Sequence, residues 1–215
     1  MLTPEQAFPS RVAGILRADD PEAAFKACVA ALEGGLATIE VTTSTPFCLD
    51  IVRGLVASTG GTLAVGVGTV WEPAEVTAAK QAGAAFVATS AVLPEVADAC
   101  VREDLLCVLG ALTPTEIDQA RRSGAGLVKV FPVGALGGPG YVRWLRGPMP
   151  DLPLWVSGGI EIEDVEEYIS LGVTAVGLTG ALFPPDAIRR GDLALINSLA
   201  RRATRAAGMV WHRPD

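Results

Sequence analysis

Histidine is almost missing from this chain. Its one copy, His212, stands three residues from the C-terminus, where chains tend to fray. A Ser-His-Asp triad or a His-ligated zinc site therefore lacks material, and acid–base chemistry falls to carboxylates, lysine, hydroxyls or water. The four cysteines, Cys28, Cys48, Cys100 and Cys107, show no CxxC or zinc-like spacing, which fits reduced thiols in the cytoplasm. No basic cluster offsets the net charge of −7, so neither nucleic acid nor an anionic membrane is expected as a partner. The basic stretch Arg201-Arg202-Ala203-Thr204-Arg205 reads as the polar face of a last helix. The opening MLTPEQAFPSRV lacks the basic and apolar regions of a signal peptide, and no apolar run is long enough to span a bilayer. A cytoplasmic location is the expectation.

What the chain does have is regular alternation. Half of its 215 residues are hydrophobic, enough for one sizeable core. Strand-like runs fall at 12–16, 38–42, 63–68, 86–90, 106–112, 127–132, 154–159 and 175–180. Amphipathic helical patterns follow at 21–34, 46–59, 73–82, 94–102, 114–123, 138–146, 161–170 and 192–207. The turns GGLATIEV, AGAAFVAT, SGAGLVKV and LGVTAVGL each place glycine just past a helix and an apolar strand after it. Helix starts are marked by Asp20-Pro21, by Pro94-Glu95 and by a capping box at Thr113-Pro114-Thr115-Glu116. Eight such units without a composition break predict α/β architecture: a single-domain (β/α)8 TIM barrel over 1–215. Residues 1–11 are expected to form a short helix covering the barrel bottom, and 208–215 a frayed tail. An open doubly wound sheet is the runner-up, disfavoured because VAGILRADD replaces a GxGxxG after the first strand.

Lysine is the second scarce residue, and one copy is out of place. Lys26 and Lys80 lie on solvated helix faces, but Lys129 sits inside Leu127-Val128-Lys129-Val130-Phe131-Pro132. Strand alternation sends Val128 and Val130 to the helix layer and leaves Leu127, Lys129 and Phe131 inside. The same rule sends Ile39 and Val41 outward and leaves Thr38, Glu40 and Thr42 inside. A lysine and a carboxylate thus point into one cavity. An amine removed from water loses proton affinity and becomes a nucleophile toward carbonyls. A buried salt bridge with no chemistry is the competing reading.

The strand ends supply further candidates. Gly66-Val67-Gly68-Thr69-Val70 lets a ligand approach the backbone, with the Thr69 hydroxyl and amide available to a carboxylate. Arg17 stands at the mouth after strand one, suited to a bidentate carboxylate contact or to a plain surface role. Arg143 and Arg146 read as solvated. Ser157-Gly158-Gly159-Ile160 and Gly177-Leu178-Thr179-Gly180-Ala181 are glycine-rich turns after strands seven and eight, the usual place for phosphate on a barrel. The glycine-rich segment 134–140 is either a mobile loop that closes over substrate or an ordinary connection.

Over nearly its whole length the chain resembles the 2-keto-3-deoxy-6-phosphogluconate (KDPG) and 4-hydroxy-2-oxoglutarate aldolase family of class I pyruvate aldolases. The resemblance rests on Ile39-Glu40-Val41-Thr42, Gly66-Val67-Gly68-Thr69-Val70, Val128-Lys129-Val130-Phe131-Pro132 and Ser157-Gly158-Gly159-Ile160, in family order. It implies Lys129 as the Schiff-base lysine, Glu40 as general acid/base and Thr69 near the pyruvate carboxylate. It also implies Phe131 beside the imine, Ser157 as a substrate contact, and phosphate held by Gly158, Gly159 and the Thr179-Gly180 turn. A metal-independent carbon–carbon lyase follows, with no cofactor beyond the covalent lysine imine, a small 2-oxo acid substrate (phosphorylated in the sugar-acid case) and a homotrimeric assembly. The chain departs from the family pattern at Ser44, where an arginine is usual, at Thr89-Ser90-Ala91, where Ser-Pro-Gly is common, and at Ser157, which replaces a threonine. Arg17 resembles the arginine of the phosphogalactonate branch and stands to take over the carboxylate contact. The rival readings are oxaloacetate decarboxylation through the same imine, a phosphosugar isomerase or epimerase on the same barrel, and a metabolite-binding barrel without turnover.

Overall fold

Parallel strands buried on both faces need helices outside and side chains inside, and both layers are present. The computed structural model describes residues 1–208; His212 and most of the tail expected at 208–215 lie outside them. The strands are β1 (Val12–Leu16), β2 (Thr38–Thr42), β3 (Ala64–Gly68), β4 (Phe86–Ala88), β5 (Leu106–Ala111), β6 (Leu127–Val130), β7 (Leu154–Ser157) and β8 (Ala175–Leu178). They pair in chain order and β8 returns to β1, so the sheet closes into a barrel. A short helix α1 (Pro4–Ala7) precedes β1. The helices between strands are α2 (Pro21–Glu33), α3 (Cys48–Thr59), α4 (Pro73–Gln81), α5 (Pro94–Arg102), α6 (Pro114–Arg122), α7 (Pro139–Arg146) and α8 (Val165–Ser170). After β8 come α9 (Pro185–Arg190) and α10 (Leu193–Ala206). No helix among the described residues is long and apolar enough to cross a membrane.

Local chemistry explains the boundaries. Seven of these ten helices begin with proline in the first turn, where its missing N–H costs nothing. Thr113 and Glu116 form the expected capping box, and the amides of Thr113 and Leu112 hold the Glu116 carboxyl below the usual carboxylate range. Several strands end one or two residues before the sequence reading, and three helical stretches after β1 differ by more than a single residue. Helix α3 starts at Cys48 rather than 46, because Phe47 is left-handed with φ 56°. The pattern at 161–170 divides into a 3-10 turn, Ile162–Asp164, and α8. The α9 helix stands as a separate element, started by Pro184-Pro185 and ended by Gly191 at φ 66°.

The inside–outside alternation holds. Ile39, Val41, Val128 and Val130 pack in the layer between strands and helices. Leu127, Phe86, Trp155 and Ala13 fill the barrel with Phe8 from just past α1. Phe8 meets the Phe86 and Trp155 rings at centroid distances of 5.2 and 5.0 Å, and Thr38 Oγ1 donates to the Ala7 carbonyl at 2.7 Å. The N-terminal segment thus closes the barrel bottom, as the sequence reading expected. Arg201 and Arg202 lie on the exposed face of α10, bonded to Asn197 and Glu163.

Candidate active site

Lys129 on β6 and Glu40 on β2 come from opposite walls of the eight-stranded barrel. Lys129 Nζ donates to Glu40 Oε2 at 2.9 Å and lies 3.3 Å from Oε1. Their side chains are 7% and 1% exposed, whereas Lys26 and Lys80 are exposed. The contact is made possible by a glycine on the neighbouring strand. A Cβ at Gly68 would fall 1.9 Å from Glu40 Oε1 and 2.2 Å from its Cδ, so only a residue without a side chain leaves room for the carboxylate. The buried thiols lie elsewhere, Cys28, Cys100 and Cys107 in the layer between strands and helices; burial pushes the Cys28 thiol up, and the hydrogen bond that Cys107 donates to Cys100, together with burial, does the same for Cys107.

Above the pair lies the mouth. Arg17 is exposed and its Nη2 donates to Thr69 Oγ1 at 3.3 Å, which brings together the two residues expected to meet a carboxylate. Thr69 has φ 60°, a strained choice for a β-branched residue. The Thr43 hydroxyl donates to the Thr69 carbonyl at 2.8 Å and holds that conformation. Ser44, standing where the family arginine was expected, bonds Thr42 at 3.0 Å.

Phe131 follows Lys129 at the strand end and is 37% exposed, with Lys129 Nζ 5.9 Å from its ring centroid. It packs under the next turn, since a Cβ at Gly158 would meet its ring at 2.9 Å. Gly158 and Gly159 have φ of 87° and 74°, which suits glycine alone. Gly134 donates to the Gly158 carbonyl at 2.9 Å, and Val133–Leu136 forms a 3-10 turn. The start of the segment after β6 is therefore docked on the β7 turn. Thr179 and Gly180 are exposed at the end of β8, and the Thr179 carbonyl accepts from Leu182 and Phe183. The amides of Gly159 and Gly180 donate to no backbone acceptor among the described residues.

Arg146 corrects the expectation that it is solvated. Its guanidinium donates to five carbonyls, those of Leu152, Gly172, Leu171, Pro150 and Met149, at 2.7 to 3.4 Å. Arg143 is exposed, as expected, with one contact to Glu167 at 2.9 Å. Sequence reasoning also passed over Trp155 and Ser157's hydroxyl environment: both are buried, and Trp155 Nε1 and Ser157 Oγ have no hydrogen-bond partner among the described residues. The alternation in Leu154-Trp155-Val156-Ser157 turns both side chains inward but does not reveal their missing partners.

A closed (β/α)8 barrel with an amine–carboxylate pair below the C-terminal strand ends has the build of a barrel enzyme. Comparison with known proteins makes the class definite. The family described as "Aldolase: KDPG and KHG aldolase" matches residues 6–199, and the chain belongs to that family, as a carbon–carbon lyase. It is 33% identical over 171 residues to the 2-dehydro-3-deoxy-phosphogluconate aldolase of Pseudomonas aeruginosa, covering 79% of this chain and 77% of that one. Its identity to the 2-dehydro-3-deoxy-6-phosphogalactonate aldolase of Escherichia coli is 28%, over 91% of both chains. Among solved structures it superposes on a KDPG aldolase from Legionella pneumophila, holding pyruvate as a covalent carbinolamine, with a TM-score of 0.83 at 25% identity. That match covers 93% of this chain and 96% of the other.

Proposed function

We propose that Lys129 forms a Schiff base with a 4-hydroxy-2-oxo acid and that Glu40 moves the protons of its retro-aldol cleavage. The substrates in view are 2-keto-3-deoxy-6-phosphogluconate and 4-hydroxy-2-oxoglutarate, cleaved to pyruvate and glyceraldehyde 3-phosphate or glyoxylate. The observation that carries the reading is the 2.9 Å contact between the amine and the carboxylate inside a barrel filled mainly by apolar side chains. As a purely structural pair it would bring little, because apolar residues of similar volume often stabilise a core as well.

The ammonium proton passes to Glu40, and the free Lys129 nitrogen attacks C2 of the oxo acid. The carbinolamine hydroxyl leaves as water, taking a proton from Glu40, and an iminium remains. Its positive nitrogen draws electrons from C3. As the C4 hydroxyl gives its proton to the Glu40 carboxylate, the C3–C4 bond breaks, the aldehyde departs and the electrons of that bond form the enamine. Protonation of C3 and addition of water then release pyruvate and the amine. The imine is the electron sink, the task that a cofactor performs in other carbon–carbon lyases.

Arg17 and Thr69 are placed to take the C1 carboxylate, Phe131 to wall the imine, and Ser157 to contact the substrate. The unpaired amides of Gly159 and Gly180, with Gly158 and Thr179 beside them, suit the phosphate. Borohydride reduction with pyruvate should add the mass of a reduced pyruvate adduct at Lys129, and unmodified protein after that treatment would reject the assignment. Turnover of KDPG, its galactonate epimer, hydroxyoxoglutarate and oxaloacetate, run side by side, ranks aldol cleavage against decarboxylation. We further propose a cytoplasmic homotrimer, supported by the exposed Phe47 and Trp71 on the mouth-side loops. Sedimentation at micromolar concentration should give three times the chain mass of 22.2 kDa; a monomer at that concentration would remove this part.

A further inference from the structure

Lys129 has a third neighbour that the chemistry above leaves unused. Trp155 on β7 is in register with Lys129 on β6 and is fully buried. Lys129 Nζ lies 4.7 Å from the centroid of its indole ring. The nitrogen therefore touches a carboxylate and an aromatic face at once.

Filling the barrel does not by itself explain a tryptophan. The indole N–H has no partner among the described residues, and a buried unpaired donor is costly. Phenylalanine would fill the position without that burden. Space has nevertheless been kept for the larger ring: a Cβ at Gly177 would lie 2.4 Å from Trp155 Nε1. Indole differs from benzene in one further respect that matters beside an amine, because its face attracts cations most strongly of the aromatic side chains.

We propose that Trp155 is a positioning residue for the covalent intermediate, its indole face carrying the positive charge on the Lys129 nitrogen. The need arises from the proton traffic. The nitrogen is neutral while Glu40 holds its proton and positive once Glu40 has given that proton to the departing water; the indole face, which does not titrate, favours this iminium. The inference rests on Lys129 being the imine-forming residue.

Progressive fluorination of tryptophan in the full-length chain withdraws charge from the ring face while keeping its shape. The readout is the pyruvate concentration at which half of the protein is trapped by borohydride. That concentration should rise stepwise with zero, one and two fluorines per indole. Trp155→Leu should raise it about threefold to thirtyfold. Trp155→Phe should fall between, and fluorination in that background should change nothing, which removes Trp71, Trp144 and Trp211 from consideration. Equal half-trapping across the fluorinated series, with trapping intact, would overturn the role of Trp155 alone. Absence of any trapping in the unfluorinated protein would overturn the imine reading and this inference together.

Discussion

Two glycines on one strand illustrate how a missing side chain can serve different ends. On β3, Gly66 faces the Phe86 ring, with a Cβ there 2.3 Å from it, while Gly68 faces the Glu40 carboxylate at 1.9 Å. An added methyl at residue 66 crowds the lower packing, and one at residue 68 displaces the Glu40 carboxylate, the proposed proton carrier. Gly66→Ala should therefore lower stability, by about 1–3 kcal/mol as overpacking does, measured by urea unfolding. Gly68→Ala should leave the unfolding midpoint nearer to that of the parent chain and lower kcat about a hundredfold, since a displacement of roughly 1 Å at reacting groups can cost that much. Parent-like kcat in Gly68→Ala would show that the carboxylate position is unimportant. At this scale the sequence was informative wherever a residue broke its local rule. Lys129 and Glu40 stand out because burial and alternation both call for aliphatic residues there. Trp155 obeys the rule for an apolar interior, so nothing flagged it, and its unpaired N–H became visible only with the neighbours in place.

Among the elements, the connection from α7 through β7 to α8 depends on one cation. The five carbonyls around Arg146 belong to the turn before β7 and to the turn between α8 and β8. Both turns run without regular partners, so their carbonyls need a donor. A guanidinium, with five N–H groups in a rigid fork, satisfies several of them together. Arg146→Met should cost about 2–4 kcal/mol, given that hydrogen bonds to charged groups contribute roughly 1.5–3 kcal/mol each and that this site is only partly buried. The exposed Arg143 pair should matter by less than about 1 kcal/mol. Comparing the two variants in urea, with kcat per folded molecule unchanged in both, tests the distinction. Elements were legible from the sequence because most strands are short apolar runs that alternate with helices begun by proline or followed by glycine. The Arg146 network was not, because its acceptors lie 3 to 26 residues away along the chain, and helix periodicity reports only the face that a residue occupies. Helix α9 was missed for a related reason: it is six residues long, too short for a 3.6-residue period to declare itself.

On the scale of the molecule, the eight-unit repeat made the barrel readable before any coordinates, and the glycine turns marked which end would hold the chemistry. The floor was less evident, since it depends on Phe8 reaching the interior from outside the repeat. That floor has a kinetic consequence. With Phe8, Phe86 and Trp155 packed in tilted and edge-to-face contacts beneath the amine, the floor is closed and the mouth is left for whatever enters or departs. If the proposed imine forms, a fragment still tethered to Lys129 cannot overtake the free one, so the aldehyde must exit before the three-carbon acid is set loose. Steady-state kinetics should accordingly find pyruvate competing with substrate for the empty barrel while the aldehyde does not; the reverse pattern would mean a second way out.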